Sequence, residues 1–224
     1  GPATGQDGSC SAVIPADGKY VVQVRESAYG GNGGCHYRLH VGTFPRPTGV
    51  IPAGGRPGEE IEFRFVGDPA GEFRRKVTLP TAPDRLYRLH PETADGVCPF
   101  GFPVRVLDLP HVLESGQNTA PPAATAGAVP GAFDGVVAQA GGSRFFKFAG
   151  KKGQAFEFAC HARKLGSPLD PVLTLTTDKG AQVAANDDNG GPDSGFRATL
   201  PADGDYLLAV RDHLGKGGPD YFFR

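Results

Sequence analysis

Methionine and tryptophan are absent from the 224 residues, and cysteine occurs only four times. Cys10, Cys35, Cys98 and Cys160 lack the Cys-x₂₋₄-Cys spacing of zinc sites. Their even count permits disulfides without requiring an oxidising compartment. No apolar run approaches the ~20 residues of a bilayer-spanning helix. Charge of one sign is also missing: 23 basic and 24 acidic residues leave a net −1. No global field therefore steers nucleic acid or an anionic membrane to the chain. No long uninterrupted helical period can be traced, which excludes a helical bundle or coiled coil. No basic-then-apolar leader is present and residue 1 is Gly, so a processed or cut-down chain is expected.

What is abundant is backbone punctuation. Gly (34) and Pro (21) together make up about a quarter of the chain. Phe (15) and Tyr (6) are spread throughout, which separates this composition from disorder. Period-two alternation recurs in Tyr20–Val24, Glu60–Val66, Phe145–Phe148, Phe156–Phe158, Val172–Leu175 and Tyr206–Val210. Turn dipeptides punctuate it: Asp17-Gly18, Asp95-Gly96, Asp134-Gly135 and Asp203-Gly204. Short strands at this spacing predict an all-β protein made of tandem β-sandwiches.

An internal repeat organises the chain. Residues 12–25 read AVIPADGKYVVQVR, and residues 198–211 read ATLPADGDYLLAVR. Each copy continues through a Gly-rich loop to a closing aromatic stretch, His36-Tyr37-Arg38 or Phe222-Phe223-Arg224. About 80 residues of strand-like sequence precede the second copy and almost nothing precedes the first. Residues 1–41 are accordingly expected to be the C-terminal part of a first sandwich. Residues 42–113 are expected to be an Ig-like sandwich spacer, opened by the rigid Thr43-Phe44-Pro45-Arg46-Pro47. Residues 114–224 are expected to be a complete second sandwich. The Ala-, Pro- and Thr-rich stretch 114–130 reads as an extended or mobile linker.

Three motifs carry a family resemblance: Lys164–Leu175, Asn186-Asp187-Asp188 and Leu200–Tyr206. In order and spacing they resemble the bacterial pre-peptidase C-terminal domain family. The likeness covers about residues 114–224, with 8–41 as a partial copy. The resemblance implies a jelly-roll-like, non-catalytic β-sandwich, similar to the collagen-binding domains of secreted collagenases and often carried beside a peptidase. It implies export, adhesion or substrate targeting. Some members bind calcium where the linker meets the sandwich. Of that pattern Glu114 and Asn118 survive, whereas Gly116, Thr119, Gly142 and Arg144 stand at the other ligand positions. That pattern does not predict the family's calcium site here, since calcium needs about six to eight oxygens.

The densest oxygen cluster lies elsewhere, in Asn186-Asp187-Asp188-Asn189-Gly190-Gly191-Pro192-Asp193-Ser194. Clustered carboxylates and amides on flexible backbone suit a hard cation, so Asp187, Asp188, Asn189 and Asp193 are candidate calcium ligands. The plainer reading is an Asx-rich turn capping its own backbone. By the repeat, Cys10 and Cys35 occupy the positions of Phe196 and Tyr221, aromatic positions expected to face the core. A Cys10–Cys35 disulfide there would staple the partial unit, a closure worth roughly 3 kcal/mol; the alternative is two buried thiols. Cys98 and Cys160 fall in different units and read as separate buried thiols or an inter-unit bridge. Cys35-His36 and Cys160-His161 place neighbours on opposite strand faces and so do not chelate together. Gly-x-Ser-x-Gly is absent, and the Gly-rich runs lack the Lys-Ser/Thr of a phosphate loop. Arg74-Arg75-Lys76 reads as a charged edge strand. Phe146 and Tyr221 either pack in the core or stack on a sugar or peptide.

These readings converge on a non-catalytic binding, targeting or spacer module of a larger secreted bacterial protein. Polysaccharide, peptide or a neighbouring module is the expected partner, outside the cytoplasm: secreted, periplasmic or at the cell surface. The alternative is a structural assembly unit completed by strand pairing with a neighbouring module or chain.

Overall fold

The computed structural model describes residue 8 and residues 10–224. Among the described residues there is no α-helix, and strands with two short 3-10 turns make up the regular structure. The middle unit contains β1 (Gly49–Ile51), β2 (Gly54–Gly55), β3 (Glu60–Val66), β4 (Phe73–Thr78) and β5 (Asp84–Leu89). It continues with β6 (Glu92–Thr93), β7 (Gly96–Val97) and β8 (Phe102–Val106). Its two main sheets run β1-β3-β4 and β2-β8-β5, with β6-β7 as a small hairpin turning at Ala94-Asp95. Alternation decides the faces. Ile61, Phe63 and Phe65 of β3 point inward while Glu60 and Glu62 stay exposed. They meet Phe102, Val104 and Val106 of β8 in one core with Val50, Leu79 and Leu89. β4 is an edge strand, and its Arg74 and Lys76 pair across the surface with Glu62 and Glu60. Exposed pairs of this kind add at most about 1 kcal/mol each, so their weight lies in guarding the edge.

The C-terminal sandwich contains β9 (His111–Leu113), β10 (Thr125–Ala126), β11 (Ala132–Val136), β12 (Ser143–Gly150) and β13 (Ala155–Ala159). It is completed by β14 (Pro171–Thr177), β15 (Gln182–Asn186), β16 (Gly195–Thr199), β17 (Gly204–Asp212) and β18 (Phe222–Phe223). A five-stranded sheet, β10-β12-β17-β14-β15, forms one layer. The pair β13-β16 and the sheet β18-β11-β9 form the other. Phe146, Phe148, Leu173, Leu175, Tyr206 and Leu208 face Phe158, Leu200 and Phe223 across the core. The Tyr206 hydroxyl donates to Ala202 O at 2.7 Å and pins the turn that feeds β17.

Three expectations need correction. Residues 114–130 are not a mobile linker. Asn118 is fully buried and exchanges hydrogen bonds with Phe145, and Thr125–Ala126 joins the five-stranded sheet in parallel to β12. Asp134-Gly135 is not a turn but the middle of β11. Residues 10–43 form no strand, including the β-rich stretch Tyr20–Val24.

β9, read from the sequence as the end of the middle unit, pairs in parallel with β11 of the sandwich. This crossing leads the chain directly from one unit into a sheet of the other. A shared core of Ile51, Ala53, Val66, Val136, Leu165 and Phe222 fills the junction. Gly49 lets the two units approach. A Cβ there would lie 2.5 Å from the Phe222 ring.

Candidate functional site

Polar chemistry concentrates at the junction of the two units. Asp134 on β11 is fully buried, and its Oδ2 accepts from Arg224 Nη1 at 2.5 Å. Its Oδ1 accepts from Ala53 N of the middle unit at 3.1 Å. The Arg224 backbone exchanges hydrogen bonds with His161 at 2.7 and 2.9 Å. Gly54 leaves room for the guanidinium, because a Cβ there would lie 2.6 Å from Arg224 Cζ. His111 on β9 stands between two carboxylates. Its Nε2 is 2.9 Å from Glu59 Oε2 and its Nδ1 is 3.9 Å from Asp134 Oδ2. Burial pushes the Asp134 carboxyl upward, and the Arg224 charge opposes it. Burial likewise pulls Glu59 upward, but the Arg56 amide and His111 carry it below its ordinary value. His161 is pulled down to about 4 by burial, with the Arg105 charge adding to the effect. This centre joins the two units by charge around a buried Asp134–Arg224 pair, and it was not foreseen from the sequence. Its members lie 81 and 90 residues apart, and its one local signal, Asp134-Gly135, resembles a turn.

A second buried pair marks where the sandwich begins. Arg144 Nε lies 2.7 Å from Glu114 Oε2, and both side chains are almost fully buried. Glu114 Oε1 accepts from Val136 N at 2.8 Å, and Asn118 Nδ2 donates to Phe145 O at 3.0 Å. Here the family resemblance would place calcium. The residues do not fit that ion: one carboxylate and one amide oxygen are too few, and a guanidinium already neutralises the carboxylate. Burial still raises the Glu114 carboxyl, against the lowering by the Val136 amide and Arg144.

The acidic loop is divided. Asp193 is buried, and its carboxylate accepts from the amides of Ala162, Arg163 and Lys164 at 3.1, 2.7 and 3.3 Å. It caps the 3-10 turn Arg163–Leu165. Asp187, Asp188 and Asn189 are exposed, with Asp187 Oδ2 3.5 Å from His213 Nδ1. The Asn189 amide faces Gly191 O and Asp193 O, and the Ser194 hydroxyl donates to Asn186 O at 2.7 Å. Asp193 is thereby turned away from the other three, and the loop resembles a capped turn more than a coordination cage. No group of three or more His, Cys, Asp or Glu side chains suited to a metal occurs among the described residues.

The predicted Cys10–Cys35 disulfide is not formed. Both are free, exposed thiols, because no sheet brings the ends of this segment together. Cys98 and Cys160 are free and buried in the two separate cores, and burial pushes both thiols up. Phe146 is a core residue with no exposed face, packed against Phe133 and Phe223, and Tyr221 packs against the same core. Phe146 is therefore no stacking platform. Among the described residues no histidine ring hydrogen-bonds a serine hydroxyl: His90 Nδ1 faces Cys98 O and His111 Nε2 faces Glu59. A shallow groove of about 440 Å³ lies over β13 and β16, lined by Phe156, Ala198 and the Glu157–Arg197 pair. No helix of the described residues is long and apolar enough to cross a membrane.

No protein-family model matches the chain. Over 67 residues, 30% of its length, the chain is 45% identical to a protein of Deinococcus radiodurans described as a probable subtilase-type serine protease. That stretch spans only 9% of the protease. Among solved structures, the pre-peptidase C-terminal domain of a collagenase from Bacillus anthracis aligns over 45% of this chain and 90% of its own length. The identity is 14% and the TM-score 0.34.

Proposed function

We propose that this chain is a non-catalytic module of a larger exported, protease-associated protein, acting as a rigid spacer that also targets the assembly to its substrate. The observation that carries this reading is the 67-residue stretch shared at 45% identity with a subtilase-type protease, of which it is only a small part. A module that recurs inside a protease chain serves the peptidase without having to be one. The junction supports the spacer half of the reading. A shared apolar core and a buried ion pair fix the direction between two sandwiches, as a spacer requires. Polysaccharide, peptide or a neighbouring module is the class of ligand to test, with the β13–β16 groove as the first surface to mutate.

The experiment is co-sedimentation of the purified chain with insoluble polysaccharides and fibrous proteins, with casein and peptide-ester turnover measured in parallel. Retention on one matrix, reduced by Arg197→Glu in the groove, supports targeting. Solubility with every matrix reduces the role to spacing. Turnover that co-purifies with the chain overturns the proposal.

A further inference from the structure

Residues 12–38 align with residues 198–224 at a constant offset of 186 and no gap. Eight of the fourteen residues in 12–25 are identical to their counterparts. The structure shows how far the likeness extends. Tyr20 donates its hydroxyl to Ala16 O at 2.6 Å, as Tyr206 does to Ala202 O at 2.7 Å. Glu26 Oε2 accepts from the amides of Ala28 and Gly30 at 2.8 and 2.9 Å. Its counterpart Asp212 accepts through Oδ2 from Leu214 and Lys216 at 3.0 and 2.9 Å. The turns at both ends of the β17-like stretch are therefore already built in the first copy.

What the first copy lacks is cover. Leu200, Tyr206, Leu208 and Val210 are 1–7% exposed in the second copy. Their counterparts Ile14, Tyr20, Val22 and Val24 are all apolar or aromatic and 45–58% exposed. Tyr37 is 71% exposed where Phe223 is 2% exposed. The whole of 10–43 is exposed, so the apolar residues that the second copy buries stand in solvent here.

We propose that residues 12–38 are the preorganised closing strands of a second sandwich, and that they dock onto a half-sandwich of the β10–β16 type lying earlier in the same polypeptide. The second copy specifies that occupant. There β17 lies between β12 and β14, with Tyr206 and Leu208 opposite Phe148 and Phe146 on one side and Thr177 and Leu175 on the other. An aromatic strand and an aliphatic strand are needed to flank Tyr20–Arg25. In the second copy both precede the closing strand in chain order. A second copy of this chain is a poor donor, because its own β12 and β14 are already paired with β17. The inference rests on the repeat and not on the targeting function, so either can fail alone.

The test is hydrogen exchange read by mass spectrometry on two chains. One is the 224-residue protein. The other carries a duplicate of residues 114–195 placed directly ahead of Cys10, which restores the spacing of the second copy. The amides of Tyr20–Arg25 should exchange at least about 100-fold more slowly in the extended chain. A companion variant writes the first copy's strand into β17: Thr199→Val, Leu200→Ile, Asp205→Lys, Leu207→Val, Leu208→Val and Ala209→Gln. It should keep a cooperative unfolding transition and protected amides at 206–211. Loss of that transition overturns the proposal, since residues 12–25 would then be unfit for the half-sandwich. Rapid exchange of Tyr20–Arg25 in the extended chain overturns it, as does full protection already present in the unextended monomer.

Discussion

Replacing Asp134 by Asn removes one charge from the junction and little else. The side chains of Asp134 and Arg224 are 1% and 3% exposed, so neither charge has water to fall back on. Asparagine keeps the shape and still offers an oxygen to the Ala53 amide. The loss is then that of an uncompensated buried guanidinium, about 3–5 kcal/mol. Asp134→Ala should cost a further ~1–3 kcal/mol, because the Ala53 amide is orphaned as well. Against a typical domain stability of about 5–15 kcal/mol, either change is large. In urea, with a slope of roughly 1–3 kcal/mol per molar, the midpoint of Asp134→Asn should fall by about 1 M or more. A double-mutant cycle with Arg224→Met should return a coupling of at least ~2 kcal/mol, insensitive to added salt. Because the pair bridges two units, calorimetry of Asp134→Asn should also separate one transition into two. A midpoint shift worth less than about 1 kcal/mol would refute the reasoning. It would mean that the guanidinium finds water at the junction and that apolar contact alone joins the units.

His161 gives the junction a pH dependence. Its pKa, about 4 in the fold, lies below the ordinary histidine value near 6.5. The stability it contributes is complete above about pH 6.5 and is lost as pH falls through about 4. This amounts to on the order of 2 kcal/mol after allowing for its partial exposure. His161→Gln should flatten that slope, and equal slopes for both proteins across this range would contradict the account. Asp193→Ala strips a carboxylate from three backbone amides and should cost about 1–3 kcal/mol, equally in calcium and in chelator. A loss seen only in calcium would instead establish the acidic loop as a metal site. Phe146→Ala opens a cavity between Phe133 and Phe223 and should cost about 3–5 kcal/mol in thermal unfolding, whereas a residue spared for ligand stacking would cost far less.

The strands that could be read from the sequence share one property. Glu60–Val66 and Tyr206–Val210 show alternating burial, and each has strand neighbours on both edges and a core against its inward face. Tyr20–Val24 is as rich in β-branched and aromatic residues and forms no strand. Alternation states which face must be covered and says nothing about whether cover exists, because sheet partners are chosen over long sequence separations. The same limit hid the junction. Composition made 114–130 look like a tether, yet Asn118 reaches Phe145 and Ala126 reaches Lys147, contacts that no local pattern announces. Arg144 was legible as a misfit in a calcium pattern. Only the structure shows that its guanidinium sits against Glu114 and supplies a positive charge there itself.

The Glu114–Arg144 pair bears on the proposed spacer role. A junction organised by a bound cation is rigid only while the ion is present, so its geometry follows the ion's concentration. Here two buried guanidiniums, Arg144 at the start of the sandwich and Arg224 at its contact with the middle unit, are covalent parts of the chain. Their pairing with Glu114 and Asp134 cannot be diluted or chelated away. The direction between the two units is therefore set by folding alone. The segment 12–38 is the opposite case: its turns are formed, but it belongs to no sheet. One chain thus carries a repeat in two states. In the second copy β12 and β14 flank the repeat's long strand, whereas no described strand flanks it in the first.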